Sequence, residues 1–369
     1  MTNDFPPRPG GIQAYLHQLA LALPTGAIAV YAPQWPGAAA FDAHLPFPVI
    51  RHPGTLMLPS PAVLRGAMRL VRELQCDTVW FGAAAPLALL GPALRRAGVG
   101  RVVASSHGHE VGWSMIPPGR IALRRIGSDA DVVTAVSQYT RRRIASAFGP
   151  RAALELLPPG VDCAEFRPDP NARTDIRRRH QLGDSPVVLC VGRLVPRKGQ
   201  DMLVRALPAI RRQVPGAKLL LVGDGPARAV LHRLAESYEV GEAVVWAGSV
   251  PWSALPAYYA AGDAFAMPCR TRGGGLDVEG LGLVFLEAAA AALPIVVGDA
   301  GGARETVRRG DTGELVNGRD LTAVTQAVAT LLANPEQAAA MGQRGRRWMQ
   351  ERWQWATRAG RLCGLLGSS

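Results

Sequence analysis

Two stretches combine cations, carboxylates and glycines in patterns that suit a phosphorylated sugar. In Val187 to Lys198 (VVLCVGRLVPRK), an apolar run ends in Gly192 and is followed by Arg193, Arg197 and Lys198. A parallel strand presents such residues at its carboxyl end, the edge at which open α/β sheets bind ligands. Cations fixed there could neutralise a pyrophosphate, although ordinary solvated cations after a strand give the same pattern. Residues 270–297 (RTRGGGLDVEGLGLVFLEAAAAALPIVV) hold three consecutive glycines, then Gly280 and Gly282, then an alanine-rich helix from about Val284. Free backbone N–H groups at a helix N-terminus attract phosphate. Glu279 and Glu287 bracket that start, and carboxylates there can accept hydrogen bonds from sugar hydroxyls. The competing reading is a mobile glycine loop with two surface acids.

Other candidates are less specific. Gly223 and Gly225 (KLLLVGDGPAR) permit a tight turn, but the spacing is not GxGxxG and no acid stands at the ribose offset of a dinucleotide fingerprint. Gly10 and Gly11 precede a helix and form a second possible phosphate cradle. His107 and His109 (SSHGHE) follow the strand-like RVVA, so His107 is either a donor or base at a strand's carboxyl end or a structural histidine. Residues 60–74 (SPAVLRGAMRLVREL) read as an amphipathic helix with Leu64, Met68 and Val71 on one stripe and Arg65, Arg69 and Arg72 beside it. That geometry suits an anionic membrane interface or an ordinary half-buried surface helix.

The elements that must position these residues recur as short apolar runs separated by helix-compatible segments. They lie at 27–31, 78–81, 101–104 and 131–136, then at 187–191, 218–222, 243–246, 264–267 and 294–297. This is the rhythm of parallel sheets with crossover helices, an α/β fold in two Rossmann-like halves. The Pro-, Asp- and Arg-rich stretch 157–186 reads as a connector, which gives domains at 1–175 and 176–345. Residues 346–369 belong to a terminal Trp-bearing helix that could pack on either domain.

The 369 residues and 48% hydrophobic content exclude a disordered, collagen-like or coiled-coil chain and favour two cores over one. The net charge is +12, and residues 1–180 hold 20 basic against 12 acidic side chains, or +8. An anionic partner for that half fits this excess, but no nucleic-acid recognition motif accompanies it. The five cysteines are widely spaced without metal-ligand spacing, which suits a reducing cytosol, and no apolar run is long enough to span a bilayer.

Taken in order, the GG near the start, the His after a mid-domain strand, GRLVPRKG, VGDGP and Glu279-x7-Glu287 resemble the retaining GT-B glycosyltransferases over nearly the whole chain. The phrases TNDFPPRPGGIQ, AMPCRTRGGGLDVEGLGLVFLEA and DAGGARETV are similar to the actinobacterial phosphatidylinositol mannosyltransferase branch. The resemblance implies two Rossmann-like domains facing each other across a cleft, GDP-mannose as donor, an anionic phosphoinositide glycolipid as acceptor, and no bound metal or other cofactor. Arg193 and Lys198 would grip the donor pyrophosphate, with Gly10 and Gly11 approaching the same phosphates. His107 would hydrogen-bond the transferring sugar. Glu279 would hold sugar hydroxyls, the backbone at Leu281 and Gly282 would lie near phosphate, Glu287 would bind the ribose, and residues 246–255, Val250 among them, would line the base. It further implies a cytoplasmic enzyme held peripherally on the inner membrane face, with Arg65, Arg69 and Arg72 as the basic surface. Transfer to diacylglycerol-type glycolipids or a soluble cyclitol, and non-enzymatic binding of a nucleotide sugar or a nucleic acid, are the rival readings. Family members carry a full apolar strand before the TNDFPP-like loop. This chain begins at Met1, which suggests a start inside the natural coding region; if that strand is absent, a weakly anchored Gly10–Gly11 loop is expected.

Overall fold

The computed structural model describes residues 1–367. The chain folds as two compact units, one formed by Met1–Gly160 together with the stretch from Trp355 onward, the other by Val161–Gln354.

In the first unit, α1 (Gly11–Leu21), β1 (Val30–Pro33), α2 (Ala38–Asp42), β2 (Val49–His52) and α3 (Pro61–Glu73) come first. They are followed by β3 (Thr78–Phe81), α4 (Gly91–Arg96), β4 (Arg101–Ser106), α5 (His109–Met115), α6 (Pro117–Asp129), β5 (Val132–Ala135), α7 (Gln138–Phe148) and β6 (Ala153–Leu156). All strand pairings are parallel: β1 with β2, and β3-β4-β5-β6 in that order. Met1 and Thr2 bridge the two sheets. The terminal amine donates to Trp80 O at 2.8 Å and the Gly82 N–H to Met1 O at 2.9 Å, while the Thr2 N–H donates to Tyr31 O at 3.0 Å.

The expected weak anchoring of the following loop does not hold. The Asn3 amide exchanges two hydrogen bonds with the Met57 backbone, at 2.8 and 2.7 Å. Arg51 donates to Pro6 O at 2.6 Å while forking onto Asp42, and its guanidinium lies over the Phe5 ring. Gln13 reaches back from α1 to Asp4 at 2.8 Å.

The second unit runs α8 (Pro170–Arg179), β7 (Val187–Val191), α9 (Gln200–Gln213), β8 (Lys218–Val222), α10 (Arg228–Ser237), β9 (Val244–Gly248), α11 (Leu255–Ala261) and β10 (Ala264–Met267). It continues with α12 (Leu283–Ala290), β11 (Ile295–Gly298), β12 (Gly313–Val316), α13 (Leu321–Ala333) and α14 (Pro335–Arg352). Its six parallel strands are ordered β12-β11-β10-β7-β8-β9, and the central β7, β10 and β11 are buried along their whole length. A parallel sheet covered on both faces needs such continuous apolar strands. Asp263 ties this core to α8, accepting from Arg173 at 2.6 Å, Arg177 at 2.7 Å and the Val187 N–H at 2.7 Å.

Four of the apolar runs read from sequence coincide with β3, β7, β8 and β10. The strands not foreseen, β2, β6 and β12, are all sheet edges with half-covered residues. An edge strand needs only partial apolar character, so it leaves little pattern to read. The expected single terminal helix is two. α14 ends where Trp353 is buried and the Val161 N–H donates to Trp353 O at 2.7 Å, and α15 (Trp355–Leu366) begins after that break. α15 packs within the first unit: Arg101 Nε donates to Leu365 O at 2.6 Å, Arg361 pairs with Glu155 at 2.6 Å, and Trp355 stands edge-on to Tyr15.

Candidate active site

In the second unit, β7 delivers its chain end to Gly192, whose φ of 144° suits glycine. Arg193 follows, exposed, its guanidinium without a hydrogen bond or ion pair to another described residue. A 3₁₀ turn at Pro196–Lys198 then turns Lys198 inward, where its Nζ lies 2.9 Å from Glu279 Oε2. Arg197 Nε is 3.6 Å from the same oxygen, and its Nη1 is 3.6 Å from Asp277. Lys198 and Glu279 are each only 7% exposed. Burial pushes the Glu279 carboxyl up, but Lys198 and Arg197 together hold it below its ordinary value, so it remains an anion and an acceptor.

Glu279 reaches this position from the loop between β10 and α12. The three glycines form a closed tip rather than an open cradle, because Arg272 and Asp277 pair backbone to backbone at 2.9 and 3.3 Å. Beyond it, Glu279 O accepts the Gly302 N–H at 3.0 Å, and Gly301 at φ 59° lies so close that a Cβ there would meet that oxygen at 2.1 Å. Arg270 forks onto Asp201 at 2.8 and 2.9 Å and fastens the same loop to the start of α9.

Gly282 at φ 98° caps α12, and no side chain satisfies its first-turn N–H groups. Leu281 beside it is buried. One turn along, Glu287 is buried and its Oε2 accepts the Tyr259 hydroxyl at 2.6 Å. Burial pushes the Glu287 carboxyl up to about 7. The Tyr259 hydrogen bond and Lys198 oppose this shift, and Glu165 adds to it. Val250 lies half-covered in the loop after β9, beside the exposed Trp252.

Gly223 and Gly225 have a packing role. A Cβ on either would strike the backbone of the β7 loop, Gly192 O at 2.3 Å and Leu194 O at 2.4 Å. Their smallness lets the β8 turn support the loop that carries Arg193 and Lys198.

In the first unit, β4 delivers His107. Its Nε2–H donates to Gly82 O at 2.6 Å, which leaves Nδ1 as the acceptor nitrogen of the neutral ring, and Tyr15 stands edge-on to it at 5.1 Å. Burial lowers the pKa of His107 against the pull of Glu110 and the Gly82 hydrogen bond, so the ring is neutral at neutral pH. Glu110 was not singled out from sequence, yet it organises this turn. Fully buried, it accepts from Ser106 Oγ at 2.9 Å and the His107 N–H at 3.1 Å and pairs with His109 at 3.1 Å. An acid three residues after a candidate histidine was the available signal. Tyr259, far from Glu287 in sequence, offered none. Gly10 caps α1, with the Gln13 side chain against it. α3 forms as expected, with Ser60 as its cap, but Val63 and Ala67 are its buried residues, whereas Leu64, Met68 and Val71 are half-covered and Arg65, Arg69 and Arg72 exposed.

Two Rossmann-like parallel units, one with a buried Lys–Glu pair and an uncapped helix start at a sheet's carboxyl edge, define a GT-B glycosyltransferase. Residues 9–165 match the model of Glycosyltransferase Family 4, and residues 172–348 that of Glycosyl transferases group 1. The chain is 60% identical over 99% of its length, and 97% of the relative's, to a GDP-mannose-dependent alpha-(1-6)-phosphatidylinositol monomannoside mannosyltransferase of Mycolicibacterium smegmatis. A Corynebacterium glutamicum enzyme named for the monoacylated mono-mannoside is 45% identical over 100% of this chain and 97% of its own. Anabaena HepE, solved with UDP and glucose, shares the fold with a TM-score of 0.85 at 19% identity, covering 100% of this chain and 99% of its own. The chain belongs to the family that these phosphatidylinositol monomannoside mannosyltransferases form. Among the described residues, no helix is long and apolar enough to cross a membrane.

Proposed function

We propose that the protein transfers mannose from GDP-mannose to the inositol ring of a phosphatidylinositol mono-mannoside, with retention at the anomeric carbon, giving the di-mannoside. The observation that carries this reading is the 60% identity to the Mycolicibacterium enzyme over nearly the full length of both chains.

Chemically, the bond from mannose C1 to the phosphate oxygen breaks, a bond from C1 to an inositol oxygen forms, and the hydroxyl proton passes to the departing phosphate. GDP leaves with more negative charge than it carried while bonded, so fixed cations favour the transition state over the bound donor. Lys198 and Arg193 supply them. Glu279 holds Lys198 in place and accepts from mannose hydroxyls, the α12 start offers N–H groups to phosphate, and Glu287, once ionised, accepts from the ribose. Val250 and its loop lie along the base. In the first unit, His107 is the residue assigned to the transferring sugar, and Gly10 and Gly11 are those assigned to phosphate. The enzyme works as a peripheral protein at a membrane face, to which the arginines of α3 contribute charge.

A donor panel against purified phosphatidylinositol mono-mannoside, acylated and not, with linkage analysis of the product, tests this. Transfer from GDP-mannose to an inositol hydroxyl is expected. Absence of transfer to every phosphoinositide acceptor, or preference for a UDP-sugar, overturns it.

A further inference from the structure

The junction of α5 and α6 exposes three large apolar side chains within seven residues: Met115 at 40%, Ile116 at 49% and Ile121 at 64%. α6 has a separate inward face, Leu123 and Ile126, so Ile121 is not held outward for want of a core position. Around this corner stand the exposed Arg120, Arg124 and Arg125 of α6 and Arg142 and Arg143 of α7, and Arg143 Nη2 lies 3.6 Å from Met115 Sδ. The acids between residues 115 and 148 are Asp129 and Asp131, and both pair with Arg95, at 3.5 and 2.7 Å. No local carboxylate is therefore committed to these arginines.

We propose that this corner of the first unit docks the enzyme on an anionic phospholipid bilayer, Met115, Ile116 and Ile121 entering the interface while the α6 and α7 arginines meet lipid phosphates. The inference deepens the function proposed above and rests on its lipid acceptor. Apolar insertion ringed by arginine matches a surface that is negative outside and hydrocarbon within. Position supports it as well. α5 starts two residues after His107 and ends at Met115, so one short helix links the carboxyl end of β4 to this corner. α3 also has exposed apolar neighbours, Leu56, Leu58 and Leu74, but its own Leu64, Met68 and Val71 are half-covered, and Arg69 has a carboxylate close by, Glu73 at 3.8 Å.

Co-sedimentation with phosphatidylcholine vesicles, with and without phosphatidylinositol, tests the surface. Wild type should bind the anionic vesicles and release as salt rises. Ile116→Asp/Ile121→Asp should lower partitioning by about tenfold or more, and Arg142→Gln/Arg143→Gln should weaken binding and flatten its salt dependence. Arg65→Gln/Arg69→Gln/Arg72→Gln, which removes charge alone, should weaken binding less than the isoleucine variant does. Mannosyl transfer to detergent-dispersed acceptor serves as the folding control, and the isoleucine variant should match wild type there while losing rate on vesicles. Wild type failing to bind anionic vesicles, the isoleucine variant partitioning like wild type, or the α3 variant carrying the main loss would each overturn the proposal. If wild type shows no transfer in detergent but vesicle binding still depends on Ile116 and Ile121, the activity reading falls and the docking surface stands.

Discussion

The Tyr259 hydroxyl lies 2.6 Å from Glu287 Oε2 in the interior of the second unit, and the bond joins a residue of α11 to one of α12. Because burial raises this carboxyl from 4.5 to about 7, the folded state prefers it protonated. The stability that preference contributes is complete below pH 4.5 and is lost as pH rises through about 7. Glu287→Gln remains neutral and can still accept from Tyr259. It should equal wild type in urea unfolding near pH 5 and exceed it by about 2–3 kcal/mol at pH 8. Wild-type donor KM should rise as pH falls below 7, whereas that of the variant should be high and flat.

Lys198 and Glu279 make the complementary case. Removing one partner of a buried pair strands the other charge, so Lys198→Ala should cost about 3–5 kcal/mol of stability, whereas Lys198→Met/Glu279→Leu should recover most of it. Turnover should fall about 100-fold or more in both, since the double variant restores packing and not the charge on the leaving group. Unfolding curves and single-turnover rates separate the two effects.

Gly301 differs from Gly310 in surroundings rather than in backbone class, with φ 59° and 74°. Gly310→Ala meets open space and should cost only the left-handed penalty of about 1–2 kcal/mol, with turnover unchanged. Gly301→Ala presses on Glu279 O and should add a roughly 10–100-fold loss of turnover through displacement of Glu279. Steady-state kinetics of the two variants, each checked for folding by circular dichroism, tests the contrast.

Glu110→Ala leaves Ser106 Oγ and the His107 N–H without their buried acceptor and should cost about 1–3 kcal/mol. Turnover should fall roughly 10–100-fold as His107 moves, while donor KM stays near the wild-type value. Glu110→Gln, which keeps a carbonyl oxygen for the same donors, should recover most of the turnover. Failure of that rescue would mean that Glu110 acts by its charge instead.

By itself the sequence determined the parallel α/β class, the strands β7, β8 and β10 and the run from Gly192 to Lys198, because a strand covered on both faces must be continuously apolar and its carboxyl end is where a ligand meets the sheet. It also carried both glutamates as members of one motif. It could not show that the triple glycine closes on itself, that Gly223 and Gly225 serve packing, or that the terminal helix breaks at Trp353. Each of those depends on which backbone lies opposite, and local spacing does not record that. The edge strands, the tie from Arg51 to Pro6 and the bond from Tyr259 to Glu287 were decided by tertiary structure alone, through partners 18 or more residues apart that the sequence does not bring together locally. The charge states of Glu279 and Glu287 were decided there too. Both are buried carboxyls of one loop and helix, but only Glu279 has two cations within 3.6 Å to offset the loss of water.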